Sequence, residues 1–264
     1  MDRQECLSYL NRSKFEEMTI NWWENFFHGV ALDFWRAAVT AEHTRAEADF
    51  IAKQLQLSNA AKVLDIPCGN GRLAIELAKR GLVLTGVDIA TEFMDEARNS
   101  STAAEVKVDW QTRDMRDLPW SGKFDGAFCF GNSFGYLDDE ANADFLKSVA
   151  QTLKPGSRFI LDAPAAAECV LPNFQASRSI EIAGIKVVIQ HRYDHEQGRM
   201  FNDFTFTRDG VVDQRPSSQR TYTYRELTEL LRAAGLETIA AYASLTEEPF
   251  QLGAQKLLLV AAKL

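Results

Sequence analysis

At 264 residues, with 46% hydrophobic and 25% charged residues, the chain has the composition of a globular protein and enough length for one large α/β domain with an ample core. A net charge of −8 and a pI near 5.1 argue against a nucleic-acid surface, and no apolar run approaches the roughly 20 residues that cross a bilayer, so neither nucleic acid nor membrane is an expected partner. Cys6, Cys68, Cys129 and Cys169 are widely spaced, without a CxxC pair or zinc spacing, so no metal is expected and a reducing cytosol is the simplest setting. Met1-Asp2-Arg3-Gln4-Glu5 has no basic segment leading into an apolar one, so no signal peptide is expected and the location reads as cytoplasmic.

Residues 1–57 read as helical. Trp22, Trp23, Phe26 and Phe27 fall at i, i+1, i+4 and i+5, one aromatic face of a helix, and a longer helix is expected over about Ala31 to Leu57. From Ala61 the pattern changes. Val63-Leu64-Asp65-Ile66-Pro67-Cys68-Gly69-Asn70-Gly71-Arg72 is an apolar run ending in an acid, then a turn with two glycines. A helical stretch from Leu73 to Arg80 is stopped by Gly81, and a second apolar run, Leu82 to Val87, ends in Asp88. Strand, glycine turn, helix, strand and acid make a nucleotide-type site at the carboxyl edge of a parallel sheet. Gly69 and Gly71 allow positive φ and let a ligand approach bare backbone. The helix start near Arg72 offers free N–H groups, and Asp88 can accept hydrogen bonds from two adjacent ribose hydroxyls. The turn has Ala74 where a dinucleotide fingerprint has its third glycine, a permitted variant that leaves a nicotinamide cofactor open. Asp65 speaks against it, because an acid there can hold the loop and face a cationic amino group.

The pattern DxxCGxGR over Asp65–Arg72 resembles motif I of the class I S-adenosylmethionine-dependent methyltransferases. Asp88 matches that family's ribose-binding acid. Arg113-Asp114-Met115-Arg116-Asp117-Leu118-Pro119 resembles the loop after strand three that contacts the adenine, and Phe124–Phe130 its fourth strand. Leu153-Lys154-Pro155-Gly156-Ser157 resembles the turn into strand five, with Ser157 replacing the usual second glycine. These ordered matches span about residues 60–162. The resemblance implies a doubly wound seven-stranded Rossmann-like α/β sheet with strand seven antiparallel, S-adenosylmethionine as cofactor, and a donor pocket lined by Asp65, Cys68, Gly69, Gly71, Asp88, Ile89, Asp114, Met115, Phe130, Gly131 and Asn132. Residues 1–57 become an N-terminal helical extension that either packs on the main domain or closes as a lid, and 58–162 the cofactor-binding core.

After Asp162 the strand–helix alternation breaks. Residues 163–223 read as an antiparallel β insertion: strands at Ile180–Asp194 and Met200–Arg208, and a short third at Ser218–Thr223. In the first, Ile185, Val187, Ile189, His191 and Tyr193 form the more apolar face; in the second, Met200, Asn202, Phe204 and Phe206 do. His191 and Asn202 are therefore polar residues on apolar faces: a buried hydrogen-bonded pair, an end-of-strand exposure, or part of the lining of the substrate pocket that such insertions cover in the family this chain resembles. Residues 224–264 supply a helix at Tyr224–Ala234 and strands at Leu236–Ala243 and Lys256–Ala262.

The loop Gly131-Asn132-Ser133-Phe134-Gly135-Tyr136-Leu137-Asp138 follows strand four, where the donor's methionine end is expected. It lacks the Asn/Asp-Pro-Pro-aromatic sequence of methylases that act on nucleic-acid bases, and no acid pair with an adjacent Asn resembles the magnesium site of catechol-type enzymes. It is similar to the loop of small-molecule methyltransferases, amino-sugar N-methyltransferases among them. Asp138 and Asp139 read as caps of the next helix. Candidate bases are His28, His43, His191, His195 and Tyr136; Tyr136 and His191 are the expected catalytic residues, and His43, among Glu42, Arg45 and Glu47, reads as a surface residue. The expected activity is methyl transfer to nitrogen or oxygen of a small molecule. The alternatives are a non-catalytic nucleoside-binding module and a nicotinamide oxidoreductase.

Overall fold

The protein is described here by a computed structural model covering residues 21–264. Cys6 and the first twenty residues of the expected helical extension lie outside these. The chain forms two compact units, one of residues up to Ala38 with Gln175–Gln219, the other Val39–Phe174 with Arg220–Leu264.

The larger unit is built on a seven-stranded sheet. Its strands are β1 (Lys62–Asp65), β2 (Val83–Asp88), β3 (Val108–Thr112), β4 (Phe124–Cys129), β5 (Leu153–Asp162), β10 (Leu236–Tyr242) and β11 (Leu258–Lys263), in spatial order β3-β2-β1-β4-β5-β11-β10. β1 to β5 run parallel, while β11 is antiparallel to both β5 and β10. Chain order reverses between β1 and β4, the switch point at which such sheets open a crevice.

Period-two alternation explains the two layers of helix around this sheet. Leu64, Phe159, Leu161 and Leu259 join an apolar cluster with Phe145, Leu146 and Val149 of α5 (Asp139–Thr152) and Leu227 and Leu231 of α7 (Tyr224–Ala233). Their neighbours Val63, Ile160 and Val260 join the opposite cluster with Phe50 and Ile51 of α2 (Ala41–Leu55) and Leu73 and Leu77 of α3 (Arg72–Lys79). The caps follow from sequence: Asp138 accepts from the Ala141 N–H at 2.8 Å, and Thr223 with Glu226 closes a capping box. α4 spans Thr91–Ala103 and the short α6 Ala167–Val170.

The smaller unit contains α1 (Gly29–Ala38) and a four-stranded antiparallel sheet, β6 (Ser177–Ile182), β7 (Ile185–Asp194), β8 (Arg199–Arg208) and β9 (Val211–Arg220), in that order. The expected strand Ile180–Asp194 is thus two strands, and the expected short third strand is a full-length one beginning earlier. Both differences come from tight turns, Ala183-Gly184 with φ of 51° and 74° and Asp209-Gly210 with φ of 52° and 78°. Two successive positive-φ residues give the backbone twist that two-residue hairpins require.

The long helix expected from Ala31 to Leu57 is also divided. Thr40 is extended, and its hydroxyl caps a fresh helix by accepting from the His43 N–H at 3.1 Å. The aromatic run is not one helical face either. Trp22–Glu24 form a single 3₁₀ turn, and Phe26 packs edge-on against Trp22 and Phe204, with centroids 5.1 and 5.2 Å away. Arg215 donates to the Phe26 and His28 carbonyls beneath them.

Candidate functional site

The site begins where β1 and β2 end. Asp88 closes β2 and is buried, and both of its oxygens are engaged by backbone: Oδ2 accepts from the Gly69 N–H at 2.8 Å and Oδ1 from the Ala90 N–H at 2.9 Å. Each oxygen keeps a second lone pair, so the carboxylate holds the glycine turn and still has acceptor capacity for hydroxyls. Burial pushes its pKa up against these hydrogen bonds.

The two turn glycines do different work. A Cβ on Gly69 would meet nothing within 4 Å, so its bare backbone faces open space. A Cβ on Gly71 would lie 2.2 Å from Trp110 Cη2. Gly71 therefore makes room for an indole from β3, and the same indole forbids a side chain at Gly86, where the clash is 2.3 Å. Gly71 also starts α3 at φ 74°. Cys68 is a buried thiol, with Sγ 3.7 Å from Met94 Sδ, and burial raises its pKa well above the ordinary value. Ile89, immediately after Asp88, is an exposed apolar side chain.

Asp65 at the tip of β1 is 2% exposed, and its Oδ2 has no hydrogen-bond partner. Burial drives its carboxyl well above the usual range, opposed mainly by the charge of Arg72. An isolated buried carboxyl oxygen is costly unless something donates to it.

Sequence reasoning did not single out the charges around this acid. Glu47 of α2 is 2% exposed; its Oε2 accepts from Arg72 Nη1 at 2.5 Å and its Oε1 lies 3.1 Å from His43 Nε2. Lys256 Nζ stands 3.7 Å from Glu47 Oε1 and 3.6 Å from Asp162 Oδ1. Asp162 ends β5, is buried, and accepts from the Gly131 N–H at 3.2 Å. Burial raises its pKa as well, with Lys256 the main opposing charge. One signal was available: Glu47 shares its helix face with Ala48, Phe50 and Ile51, and an acid on an apolar stripe needs a partner. His43 remains half exposed at the outer end of this chain, as expected for a surface residue.

Gly131 begins the loop after β4 at φ 82°, with open space where its Cβ would stand, and Asn132 follows at φ 61°. The loop is fastened by Asp162 at Gly131, by the Arg220 N–H to the Gly135 carbonyl at 2.7 Å, and by Asn142 Nδ2 to the Leu137 carbonyl at 2.9 Å. Phe130 is a buried packing residue, 6.1 Å from Phe128 between centroids. Tyr136 is partly buried, and burial pushes its phenol pKa up in spite of a hydrogen bond with Ser133.

Asp114 stands apart from the buried acids. Arg116 grips it with Nε at 2.9 Å, Nη2 at 2.6 Å and its backbone N–H at 2.8 Å, and holds its pKa below the ordinary value. Met115 is partly buried against the core. In the smaller unit, His191 faces Asn202 across β7 and β8, with Nδ1 2.7 Å from Oδ1. The hydrogen-bonded pair is the arrangement present. His195 sits in the following turn. Among the described residues no helix is long and apolar enough to cross a membrane.

S-adenosylmethionine fits the larger unit's residues on three counts: the orphaned buried oxygen of Asp65 can accept from an ammonium, the bare backbone at Gly69 and Gly131 leaves space, and Asp88 can receive hydroxyls. A model described as a methyltransferase domain matches residues 63–156. A protein named as a methyltransferase from Geobacillus sp. (strain WCH70) is 22% identical over 252 residues, 92% of this chain and 97% of that one. The ubiquinone biosynthesis O-methyltransferase of Xanthomonas oryzae pv. oryzae (strain PXO99A) is 31% identical over 115 residues, 43% of this chain; the match spans about half of that relative, 46%. The S-adenosylmethionine-bound amino pentose methyltransferase CalS10 of Micromonospora echinaspora shares the fold with a TM-score of 0.66 at 19% identity, over 91% of this chain and 99% of that one. Glycine turn, strand order and these likenesses agree with one another and not with a nicotinamide site: residues 63–156 carry a methyltransferase domain, and the chain is an S-adenosylmethionine-dependent methyltransferase.

Proposed function

We propose that this methyltransferase acts on nitrogen or oxygen of a small molecule. The observation that carries this reading is the loop Gly131–Asp138, whose short polar and aromatic residues lack the Pro-Pro signature of base methylases. The net charge of −8 disfavours a nucleic-acid acceptor. Relatives named for O-methylation in ubiquinone biosynthesis and for an amino pentose illustrate the two acceptor chemistries.

When bound, S-adenosylmethionine supplies an electrophilic methyl group on a sulfonium. The protein's part is then positioning, water exclusion and proton handling. Asp88 and the Gly69 backbone hold the ribose end, Ile89 with Asp114 and Met115 the adenine end, and Asp65 with Gly131 and Asn132 the methionine end. Cys68, Gly71 and Phe130 shape this pocket by packing behind the turn and loop. Tyr136, whose phenol stays protonated at neutral pH, serves as a hydrogen-bond donor rather than a base. His191 is the candidate base.

Two measurements test the reading. Calorimetry with S-adenosylhomocysteine on Asp88→Ala is expected to show a loss of about 1–3 kcal/mol, the value of a charged hydrogen-bond partner; unchanged affinity would misplace the ribose. Transfer of labelled methyl groups to panels of small amines, amino sugars and phenols is expected, and transfer confined to nucleic acid or protein would overturn the acceptor class.

A further inference from the structure

The antiparallel pairing of β11 with β5 brings Lys256 to the loop after β4. Leu258 lies opposite Asp162 in the register, and the Ala163 N–H donates to the Leu257 carbonyl at 2.8 Å, so the backbone beside Lys256 is fixed against the end of β5. The Lys256 ammonium lies 3.6 Å from Asp162 Oδ1 and 3.7 Å from Glu47 Oε1, ion-pair distances slightly longer than a hydrogen bond. It also stands 6.0 Å from the centre of the Phe130 ring, next to Gly131 in the chain. Asp162 and Glu47 are each 2% exposed. Glu47 has a second cation in Arg72, whereas Lys256 is the one cation paired with Asp162 among the described residues. Asp162 in turn accepts from the Gly131 N–H through Oδ2. A cation thus stands behind the carboxylate that holds the first residue of the loop. Without it, Asp162 would be a buried carboxylate with no counter-charge beside a second buried acid. Relief comes by protonating or displacing Asp162, and either change weakens a charge-assisted hydrogen bond to Gly131.

We propose that Lys256 is a positioning residue for the donor: by answering the Asp162 charge it fixes the Gly131 N–H, and with it the start of the loop after β4, where the donor's methionine end is received. This rests on the reading that Gly131 lines the methionine end. Lys256 acts through Asp162 and touches no reacting atom. Its second arm runs through Glu47 to Arg72, the first residue of α3, directly after the glycine turn. One ammonium therefore ties together the two turns that flank the crevice, one after β1 and one after β4. A lysine suits this place because its three donors radiate from one point and can serve two carboxylates at once. Holding the loop before the donor arrives removes an ordering cost from the binding step.

The test is carbonyl-filtered NMR of the full-length protein carrying ¹³C-carbonyl phenylalanine and ¹⁵N glycine. Phe130-Gly131 and Phe134-Gly135 are the two Phe-Gly pairs of the sequence, so two amide signals are selected, and Phe134→Leu identifies the second by its loss. In the wild type the Gly131 amide is expected to move on titration with S-adenosylhomocysteine. Lys256→Met is expected to shift it upfield without ligand, as the charge on its acceptor is lost. Calorimetry on the same variant is expected to show S-adenosylhomocysteine binding weakened on the order of 10-fold, the worth of one charge-assisted hydrogen bond. Lys256→Arg is expected to restore both. Because the lysine acts through Asp162, Lys256→Met should cost much less affinity in an Asp162→Asn background than alone. Should Lys256→Met fail to fold, Asp162→Asn gives the same direction in smaller measure. A Gly131 amide unmoved in Lys256→Met, or unchanged affinity there, overturns the inference, as does a loss of melting temperature alone. A wild-type Gly131 amide that ignores S-adenosylhomocysteine while still following Lys256→Met would overturn the placement of the donor at Gly131 alone.

Discussion

The strand tips of the larger unit and the sheet of the smaller one solve the same problem, a polar group in apolar surroundings, in opposite ways. Asp88 and Asp162 are answered by backbone N–H groups, at Gly69, Ala90 and Gly131, while Asp65 and Asp162 each keep an oxygen without a hydrogen bond. On the insertion sheet His191, Asn202 and Ser217 answer one another, side chain to side chain. Carboxylates tied to backbone and left partly unanswered suit a site that receives a cationic ligand. A row of side chains that hydrogen-bond one another holds its own geometry.

The largest effect should come from Glu47, which pairs with Arg72 and, through Lys256, is linked to Asp162. Its burial leaves Arg72 without its main counter-charge when Glu47→Ala is made, at a cost of about 3 kcal/mol. Chemical denaturation reads this directly, and donor affinity should fall with it, because Arg72 opens the helix behind the glycine turn. A stability loss without any change in S-adenosylhomocysteine binding would separate the network from the donor site.

Gly71→Ala should cost nearly as much, about 2–3 kcal/mol, since its Cβ would collide with Trp110 at a backbone position that already favours glycine. The paired control is Gly69→Ala, whose Cβ meets no neighbour. It should spare packing and act on ligand binding. Thermal melts with and without S-adenosylhomocysteine distinguish the two, and equal stability losses would contradict the division of labour between the glycines.

Asp65 reverses the sign. Burial raises its folded-state pKa above the ordinary carboxyl value, so its contribution to stability is fully present below about pH 4 and is lost as pH rises through the folded pKa. Asp65→Asn removes that loss, and the variant should be more stable than the wild type at pH 7, a difference that shrinks as pH falls toward about 4. It should bind S-adenosylhomocysteine more weakly, the trade between stability and function found at ligand sites. Denaturation across pH 4 to 8 checks this: a difference between variant and wild type that does not grow with pH would mean the carboxyl is not destabilised by burial.

The same contrast explains what could be read in the sequence. Asp65, Gly69, Asp88 and the β1-to-β5 alternation were legible because a parallel edge demands glycine and acid at set places along one short stretch of chain. The charges on Glu47, Asp162 and Lys256 were not, since Lys256 reaches the other two from far along the chain and each is unremarkable alone. Asp-Gly at 209–210 was a visible turn signal. Ala183-Gly184 was weaker, because alanine rarely accepts positive φ, and the insertion consequently reads as fewer strands than it has. The meeting of His191 and Asn202 was within reach of alternation, but Ser217 depended on the register of a strand whose start was misplaced.

The smallest effect belongs to Tyr136→Phe. Burial holds the phenol protonated, so its loss removes a donor and leaves no titrating base. Turnover should fall by about 0.5–1.5 kcal/mol, a few-fold to tenfold, as for one neutral hydrogen bond. Donor affinity should change less, because the loop keeps its anchors at Gly131, Gly135 and Leu137, none of which uses the Tyr136 hydroxyl. The variant's rate profile against pH should also keep the wild-type shape, since a group protonated throughout the neutral range contributes no inflection there. Equal losses in turnover and S-adenosylhomocysteine binding would assign the hydroxyl to the donor. A lost inflection near neutrality would make Tyr136 a proton acceptor after all, and would place the base on the loop instead of on the insertion sheet.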